Sequence, residues 1–253
     1  GCNPGLFASN NNMQALGQQL PPSLTKFSAS CCCIVARTIS ALNLLRHSPA
    51  LEELIVSHND EFFVCAKGSR SFGKTLPRTL KKLDVSLCNA SAKAIVALNL
   101  RHQCPQLEEL DACQNNQLLS SAKHAHNLGE SLPSALKKID IKKCGASASV
   151  TSMLNLRQQC PELADLDVSL NISLVSTDAE ASMLGQTLPL VLNRLRMRGC
   201  NASVSCLTAM NLSLHCPNLE ELYVQGSHLL FASDESVVQL GDALPAKLKR
   251  LYL

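Results

Sequence analysis

Apolar residues recur along the chain in one short pattern, L-x-x-L-x-L, in which L is an apolar residue and x is any residue. Residues 80–85, which read LKKLDV, are one copy, and Val, Ile, Met or Ala also fill the third apolar place. The second half of the pattern alternates apolar and polar residues, and this period of two predicts a short strand with one buried face. Nine copies begin at leucines that lie alternately 27 and 29 positions apart: Leu24, Leu51, Leu80, Leu107, Leu136, Leu163, Leu192, Leu219 and Leu248.

Prolines divide the copies into two alternating kinds of unit. Nine of the 11 prolines are evenly spaced, each 28 positions after the last, from Pro21 to Pro245. Units that begin Leu-Pro, here type A, alternate with units that begin Cys-Pro or Ser-Pro, here type B, so the full period is 56 positions. After each strand we expect one small or amide side chain to turn inward, where it meets backbone groups that the departing chain leaves unpaired. These inward residues are Cys32, Asn59, Cys88, Asn115, Cys144, Asn171 and Cys200, with Ser227 in the last complete unit.

The segment that leads from one strand to the next is helical in character. Residues 94–100 of a type A unit read AIVALNL, and the type B helices end near glycines that recur once per full period. Glycine suits a left-handed C-terminal cap, so we expect that conformation at Gly17, Gly73, Gly129, Gly185 and Gly241. One strand and one helix per unit predict a curved α/β solenoid.

These repeats resemble the leucine-rich-repeat family, and within it the long-repeat, ribonuclease-inhibitor-like subtype found in the sensor ends of NOD-like receptors, where two slightly different units also alternate. The resemblance covers essentially the whole chain. It implies an α/β leucine-rich-repeat solenoid, or horseshoe, with a parallel concave sheet and convex helices in alternating 27- and 29-residue units. We expect residues 1–253 to form a single array of about nine strand-bearing units. Because neither end carries a capping unit, we expect flanking domains or repeats in a longer parent protein.

Net charge, hydropathy and cysteine usage limit the classes of partner and the cellular compartment that we expect for this chain. A net charge of +3 over 253 residues is too small to indicate a globally basic nucleic-acid binder, so a nucleic-acid partner is not expected. No apolar run approaches the ~18 residues of a membrane span, and no membrane partner is expected. Seven of the 13 cysteines recur with the full period, so equivalent residues lie about 10 Å apart, whereas a disulfide needs Cα atoms within about 7 Å. They are Cys32, Cys88, Cys144 and Cys200 in type A units, and Cys104, Cys160 and Cys216 before the type B prolines. We read them as thiols in a reducing compartment and expect a cytoplasmic location.

No catalytic signature accompanies the repeats. The chain has no G-x-S-x-G, no phosphate-binding glycine loop and no H-E-x-x-H, and the run at residues 31–33 lacks C-x-x-C spacing. A row of carboxylates at the fifth place of four successive strands could hold a cation or exchange protons, but we interpret it as a solvated acidic stripe. We therefore expect no enzyme, no cofactor and no metal. The row is Asp84, Asp111, Asp140 and Asp167.

The polar positions of the strand pattern are of two kinds: those that stabilise the sheet and those that are candidates for binding a ligand. The third place alternates in charge along the whole array, which predicts a ladder of ion pairs between neighbouring strands. The ladder is Lys26, Glu53, Lys82, Glu109, Lys138, Asp165, Arg194, Glu221 and Arg250.

The fifth, seventh and eighth places break that alternation, so they are the better candidates for recognition. Both tyrosines of the chain fall on adjacent strands near its C-terminal end, and Tyr and Arg dominate interface hot spots. The alternative is that the two rings only pack on each other. The candidate ligand-binding residues on the concave face are Lys142, Lys143, Arg196, Arg198, Tyr223 and Tyr252, together with the acidic row Asp84, Asp111, Asp140 and Asp167.

From these features we predict a non-enzymatic module that binds a protein ligand through its concave face. The resemblance implies, as one such role, the ligand-sensing region of an intracellular innate immune receptor. A substrate-recruiting adaptor of a ubiquitin ligase is an alternative, and the Leu-Pro-x-x-Leu openings of type A units also resemble the repeats of microbial effectors. A ribonuclease-inhibitor-like blocker would use an acidic concave face, and the basic residues near the C-terminal end disfavour it.

Overall fold

A computed structural model describes residues 9–227, 230, 238, 240, 241 and 243–253. These residues form one open sheet of parallel strands, in which each strand pairs with the next along the chain. Helices connect the strands, so the expected α/β leucine-rich-repeat solenoid is confirmed. The strands are β1 (Lys26–Ser28), β2 (Glu53–Ile55), β3 (Lys82–Asp84), β4 (Glu109–Asp111), β5 (Lys138–Asp140), β6 (Asp165–Asp167), β7 (Arg194–Arg196), β8 (Glu221–Tyr223) and β9 (Arg250–Tyr252).

The helices follow the two unit types. Described type B units carry one helix of eight to ten residues: α1 (Asn10–Gln19), α4 (Ala66–Gly73), α7 (Ala122–Ser131) and α10 (Asp178–Thr187). Type A units carry two shorter helices: α2 (Ala36–Ile39) and α3 (Leu44–His47), α5 (Ala92–Leu98) and α6 (Leu100–Gln103), α8 (Ala148–Ser152) and α9 (Leu156–Gln159), and α11 (Val204–Met210) and α12 (Leu212–His215). A 3-10 turn at Ser40–Leu42 extends α2.

An asparagine in the left-handed conformation separates the two helices of each type A unit. Asn99 has φ 56° between α5 and α6, and Asn43, Asn155 and Asn211 stand at the equivalent places with φ 49°, 47° and 47°. Asparagine tolerates this conformation better than most residues because its short side chain bonds locally. These asparagines recur once per full period, so they repeat a bend in the backbone.

The inward asparagines join neighbouring coils through their amides. Asn115 is buried, and its Oδ1 accepts hydrogen bonds from the backbone N–H groups of Cys88 (3.0 Å) and Ala90 (2.8 Å) in the preceding coil. Its Nδ2 donates to the carbonyls of Val85 (3.0 Å) and Ala112 (2.8 Å). One side chain thus satisfies four backbone groups of two coils, and Asn59 and Asn171 repeat the arrangement.

The inward cysteines complete this set, here called the inward ladder: Asn59, Cys88, Asn115, Cys144, Asn171 and Cys200. Each of the three thiols donates to a carbonyl of the preceding type B strand, at 3.1 Å to Val56, 3.2 Å to Ala112 and 3.3 Å to Val168. Burial raises the pKa of each thiol to about 12, so all three are protonated at neutral pH. They are small hydrogen-bonding core residues and not thiolate ligands or nucleophiles.

The prediction of left-handed caps at the helix-terminal glycines is wrong. None of these five glycines has positive φ. A Cβ atom on Gly73 would lie 2.2 Å from the carbonyl oxygen of Leu98 in the next unit, and Gly17, Gly129 and Gly185 face the same obstacle at 2.3, 2.2 and 2.1 Å. The reason for these four glycines is therefore contact between units, because each type B helix lies directly against the backbone of the following type A unit.

Candidate functional site

The concave face carries the predicted charge ladder in register. The third-place residues lie opposite one another across every strand boundary from Lys26 with Glu53 to Glu221 with Arg250. Ion pairs form at six of these eight boundaries, and among the described residues Lys138 forms none with Glu109 or Asp165. Glu53 lies between two lysines, 3.0 Å from Lys26 Nζ and 3.4 Å from Lys82 Nζ. Such exposed pairs contribute about 0.2–1 kcal/mol each, so they align strands more than they stabilise the fold.

The C-terminal part of the ladder is more enclosed. Glu221 is only 2% exposed, and its carboxylate accepts hydrogen bonds from Arg194 Nη2 at 2.5 Å, from Arg250 and from the hydroxyl of Tyr223 at 2.6 Å. The Arg194 guanidinium, with these other donors, holds the pKa of Glu221 well below its usual range. A buried carboxylate thus fixes the position of one tyrosine of the candidate site.

A second row of ion pairs, which the sequence analysis missed, lies beside the ladder at the second place of the pattern. It joins Glu52 to Lys81, Glu108 to Lys137 and Glu220 to Lys249, each at 2.9 Å. These pairs do not continue along all strands, since Ala164 and Asn193 occupy two of the places. Comparing the second place between alternate units would have revealed them.

The acidic row lies side by side on β3 to β6, as expected. Each carboxylate accepts a hydrogen bond from the backbone N–H two residues later, at 2.9 Å for Asp84, Asp140 and Asp167 and 3.0 Å for Asp111. Burial, with the neighbouring carboxylates, raises the pKa of Asp140 to about 6, and burial also raises the pKa of Asp111. The row therefore shapes the turns that leave the strands and carries unfavourable charge crowding.

Asp111, Cys113 and Asp140 bring one ligand atom each within 4.8 Å of one another. Burial, together with the two carboxylates, raises the pKa of the Cys113 thiol far above its usual range. Asp111 already accepts the Cys113 backbone N–H at 3.0 Å. The hydrogen bond between Asp111 and Cys113 closes the turn that follows β4, and the Cys113 thiol lies in this turn beside Asp140 of the next strand.

The C-terminal concave cluster, defined as Arg196, Arg198, Tyr223 and Tyr252, is the most distinctive part of the concave face. The rings of Tyr223 and Tyr252 stack with centroids 4.3 Å apart and planes inclined by 6°. The guanidinium carbons of Arg198 and Arg196 lie 4.6 and 5.4 Å from the centroid of the Tyr223 ring. The two tyrosines do pack on each other, as the alternative interpretation held, but they do so within a group that also contains two arginines.

Neighbouring side chains hold this cluster in place. Arg196 Nη1 donates to Asp165 Oδ1 at 2.5 Å, diagonally across the sheet, and Arg198 Nε donates to Gln225 Oε1 at 3.0 Å. Tyr223 is fixed through Glu221. Tyr252 is 37% exposed, on the last strand of the sheet.

The structure does not bring Lys142 and Lys143 into the cluster. They follow β5, whereas Arg198 follows β7, and the turn after β6 separates them, with Lys143 N donating to Ser169 O and Arg198 N donating to Ser169 Oγ. Two strand spacings amount to about 10 Å. The basic region that the sequence predicts as one surface therefore consists of two separate groups of residues. One is Lys142 with Lys143, and the other is the C-terminal concave cluster.

Two exposed apolar residues that the sequence analysis did not single out adjoin the cluster. Leu170 is 46% exposed and Ile172 is 70% exposed, on either side of the buried Asn171. The N–H of Leu170 donates to the carbonyl of Arg198 at 2.7 Å, so Leu170 borders the cluster. The equivalent residues one full period earlier are Gln114 and Asn116, and this loss of polarity is the signal that could have revealed them.

Solved structures share this architecture. LegL7, a leucine-rich-repeat-containing protein from Legionella pneumophila, is 15% identical with a TM-score of 0.65, and the match covers 99% of this chain and 88% of LegL7. A chain of the Rad7 and Elc1 complex in yeast is 15% identical with a TM-score of 0.54, and the match covers 96% of this chain and 66% of that one. No protein-family model and no curated protein matches the sequence. At this identity the likeness establishes the leucine-rich-repeat fold.

Among the described residues, no helix combines the length and the apolar character that crossing a membrane requires.

Proposed function

We propose that this chain is a non-enzymatic recognition module that binds a protein ligand through its concave face, with the C-terminal concave cluster as the contact of highest affinity. The observation that carries the proposal is the stack of Tyr252 on Tyr223 beside two arginines, an aromatic and cationic group that occurs at one place of the array. Aromatic rings and guanidinium groups already held in position lose little conformational entropy on binding, which favours affinity.

The surroundings of the cluster support a partner of mixed character. Leu170 and Ile172 offer apolar surface beside Arg198, whose guanidinium suits a carboxylate. Lys142 and Lys143 lie two strands away and offer a second, weaker electrostatic contact. Asp167 of the acidic row lies on β6, between these lysines and the cluster. A protein surface with an apolar patch next to acidic side chains complements this arrangement.

The finer assignment follows the same reasoning from the repeat. Alternating 27- and 29-residue units and inward thiols support the ribonuclease-inhibitor-like subtype and a cytoplasmic, reducing environment. The corresponding role is the ligand-sensing region of a NOD-like innate immune receptor, with residues 1–253 as one array in a larger protein.

The test is affinity capture from cytosolic extract with mass-spectrometric identification. One variant carries Arg198→Ser and Tyr252→Ser, which removes the exposed half of the cluster, and Ser86 already occupies the place equivalent to Arg198. The matched control carries Arg78→Ser and Leu190→Ser, two exposed residues at places where the equivalent unit has Ser134.

We expect native protein and control to capture the same protein and the cluster variant to lose it by about tenfold or more. Reconstitution of the captured protein with the purified chain then establishes direct binding. Equal capture by all three chains overturns the concave cluster as the binding site, and failure of every purified candidate to bind directly overturns the recognition role.

A further inference from the structure

The convex face contains a cleft that the concave binding proposal does not use. It has a volume of about 450 Å³ and lies between α4 and α7, with α5 as its floor. This volume is in the range of small-molecule sites. The side chains that decide its chemistry are Arg70, Lys74, Lys93, His124, Val96 and Ala97.

The repeat explains why a cleft forms here. The type B helices α4 and α7 are eight and ten residues long, and the type A helix between them, α5, has seven. Gly73 allows the end of α4 to lie against the backbone of Leu98, whereas the glycine of α7, Gly129, makes its contact with Leu154 in the following unit. The cleft lies over α5, with residues of α4 on one side and of α7 on the other.

The charges around the cleft all have one sign. Among the described residues that line it, three are Lys or Arg, one is His and none is acidic. Within the described part of the chain, Arg70, Lys74 and Lys93 take part in no ion pair. The floor is apolar, formed by Val96, Ala97 and buried Leu98.

The equivalent places elsewhere in the array show that the fold does not require this chemistry. One period later, Lys74, Lys93 and His124 are replaced by Glu130, Ser149 and Glu180, and the floor residue Ala97 becomes the exposed, larger Met153. One period earlier, Arg70 and Lys74 become Gln14 and Gln18. A groove also lies at the place one period earlier, with Ala41 equivalent to Ala97 and with Arg46 and His47 in its lining. The combination of Arg70, Lys74 and Lys93 over a small-residue floor is absent from both of the other equivalent places, so this set of cations departs from the repeat.

We infer that this convex cleft binds a small organic anion, with a flat or aliphatic body resting on the α5 floor and a carboxylate, phosphate or sulfonate group paired with Lys74, Lys93 and Arg70. Cations that have no acidic neighbour and share one concave site raise the local concentration of an anion. An apolar floor favours a ligand whose remainder is not strongly hydrated. The site is independent of the concave cluster.

Two fluorescent probes with the same apolar body test the inference. Anilinonaphthalene sulfonate carries one negative charge, and phenylnaphthylamine is its uncharged counterpart. The cleft variant combines Lys74→Glu with Lys93→Ser, substitutions that copy Glu130 and Ser149. The matched control combines Lys67→Glu with Lys123→Ser, which changes the net charge equally on exposed parts of α4 and α7 outside the cleft.

We expect the native chain to bind the sulfonate saturably at one site and at least about tenfold more tightly than the neutral probe. The cleft variant loses this preference, whereas the matched control and the Arg198→Ser, Tyr252→Ser variant keep it. Ala97→Met, which copies Met153, fills the floor without changing charge and weakens both probes.

Three results would overturn the inference. They are equal affinity of the native chain for the two probes, equal loss of the preference in cleft variant and matched control, and unchanged affinity in Ala97→Met. Circular dichroism and urea unfolding of each variant confirm that the comparison is made between folded chains.

Discussion

The inward ladder and the C-terminal concave cluster are formed by the same kind of strand, yet they relate to the repeat in opposite ways. In the ladder, Asn and Cys return in every unit from Asn59 to Cys200, and each side chain bonds to backbone of a neighbouring coil. In the cluster, two arginines and two tyrosines occur at one end only, where they contact one another and neighbouring side chains. The ladder is buried, whereas the cluster lies at the surface.

Recurrence with the period therefore distinguishes residues that every coil needs from residues that are free to bind a ligand. A residue that recurs with the period serves an obligation that every coil has, such as satisfying backbone groups at the strand exit. A residue that departs from the period has no such obligation, so it is available for a ligand. The convex cleft follows the same rule, because its basic residues are replaced one period later.

We expect the largest loss of stability from a substitution in the inward ladder. Asn115→Ala leaves four backbone groups of two coils without partners, and we expect it to reduce the free energy of unfolding by about 4 kcal/mol, measured by urea unfolding. Asn116→Ala, at the exposed next residue, serves as control and should change it by less than about 0.5 kcal/mol. A loss below about 1 kcal/mol at Asn115 would remove the distinction between ladder and surface.

An intermediate effect is expected at the acidic row, which recurs on four strands without stabilising them. The pKa of Asp140 is about 6 in the folded chain, above the ~3.9 of an unfolded carboxyl. Well below pH 4 this carboxyl is protonated in both states. Between about pH 4 and pH 6 the unfolded chain ionises it while burial and neighbouring charge keep it protonated in the folded chain, so stability falls over this range and levels off above it.

Asp140→Asn keeps an acceptor for the Lys142 N–H and removes this penalty. We expect the variant to be about 1 kcal/mol more stable than the native chain at pH 7, after allowance for solvent screening of a half-buried group, and equally stable at about pH 3. Urea unfolding at the two pH values measures the difference. A variant that is less stable at pH 7 would contradict the assignment of the row as electrostatically unfavourable.

The smallest effect on stability is expected at the cluster. Arg198→Ser with Tyr252→Ser should change the free energy of unfolding by less than about 0.5 kcal/mol, since both side chains lie at the surface. The same variant is expected to reduce partner capture by about tenfold or more, so stability and binding separate. A loss of several kcal/mol would instead assign the cluster to the framework, like the ladder.

Much of the fold could be predicted because each coil repeats the same physical problem. The L-x-x-L-x-L pattern located the strands, and the sheet register confirms that the alternating third places put opposite charges on neighbouring strands. The predicted ion pairs form at most strand boundaries but not on either side of Lys138. The adjacency of Tyr223 and Tyr252 followed from the same register. Parallel pairing of successive strands converts a sequence spacing directly into a neighbour relation.

Other features depended on distances that no spacing contains. The glycines near the ends of the type B helices looked like left-handed caps, but Gly73 is required by the approach of α4 to the backbone of Leu98. Lys142 and Arg198 share a place in the pattern, yet β6 lies between their strands. The threefold hydrogen bonding of Glu221 depends on side-chain reach across strands.

The repeat, the strand positions, the sheet register and the departures from the period can all be predicted from the sequence, because they depend on local alternation and on a fixed spacing. Three features depend on how the coils pack: which departures lie together, how closely the helices approach, and the basic cleft between α4 and α7. Packing distance and side-chain direction are set by several coils at once, and they emerge only when the coils are stacked.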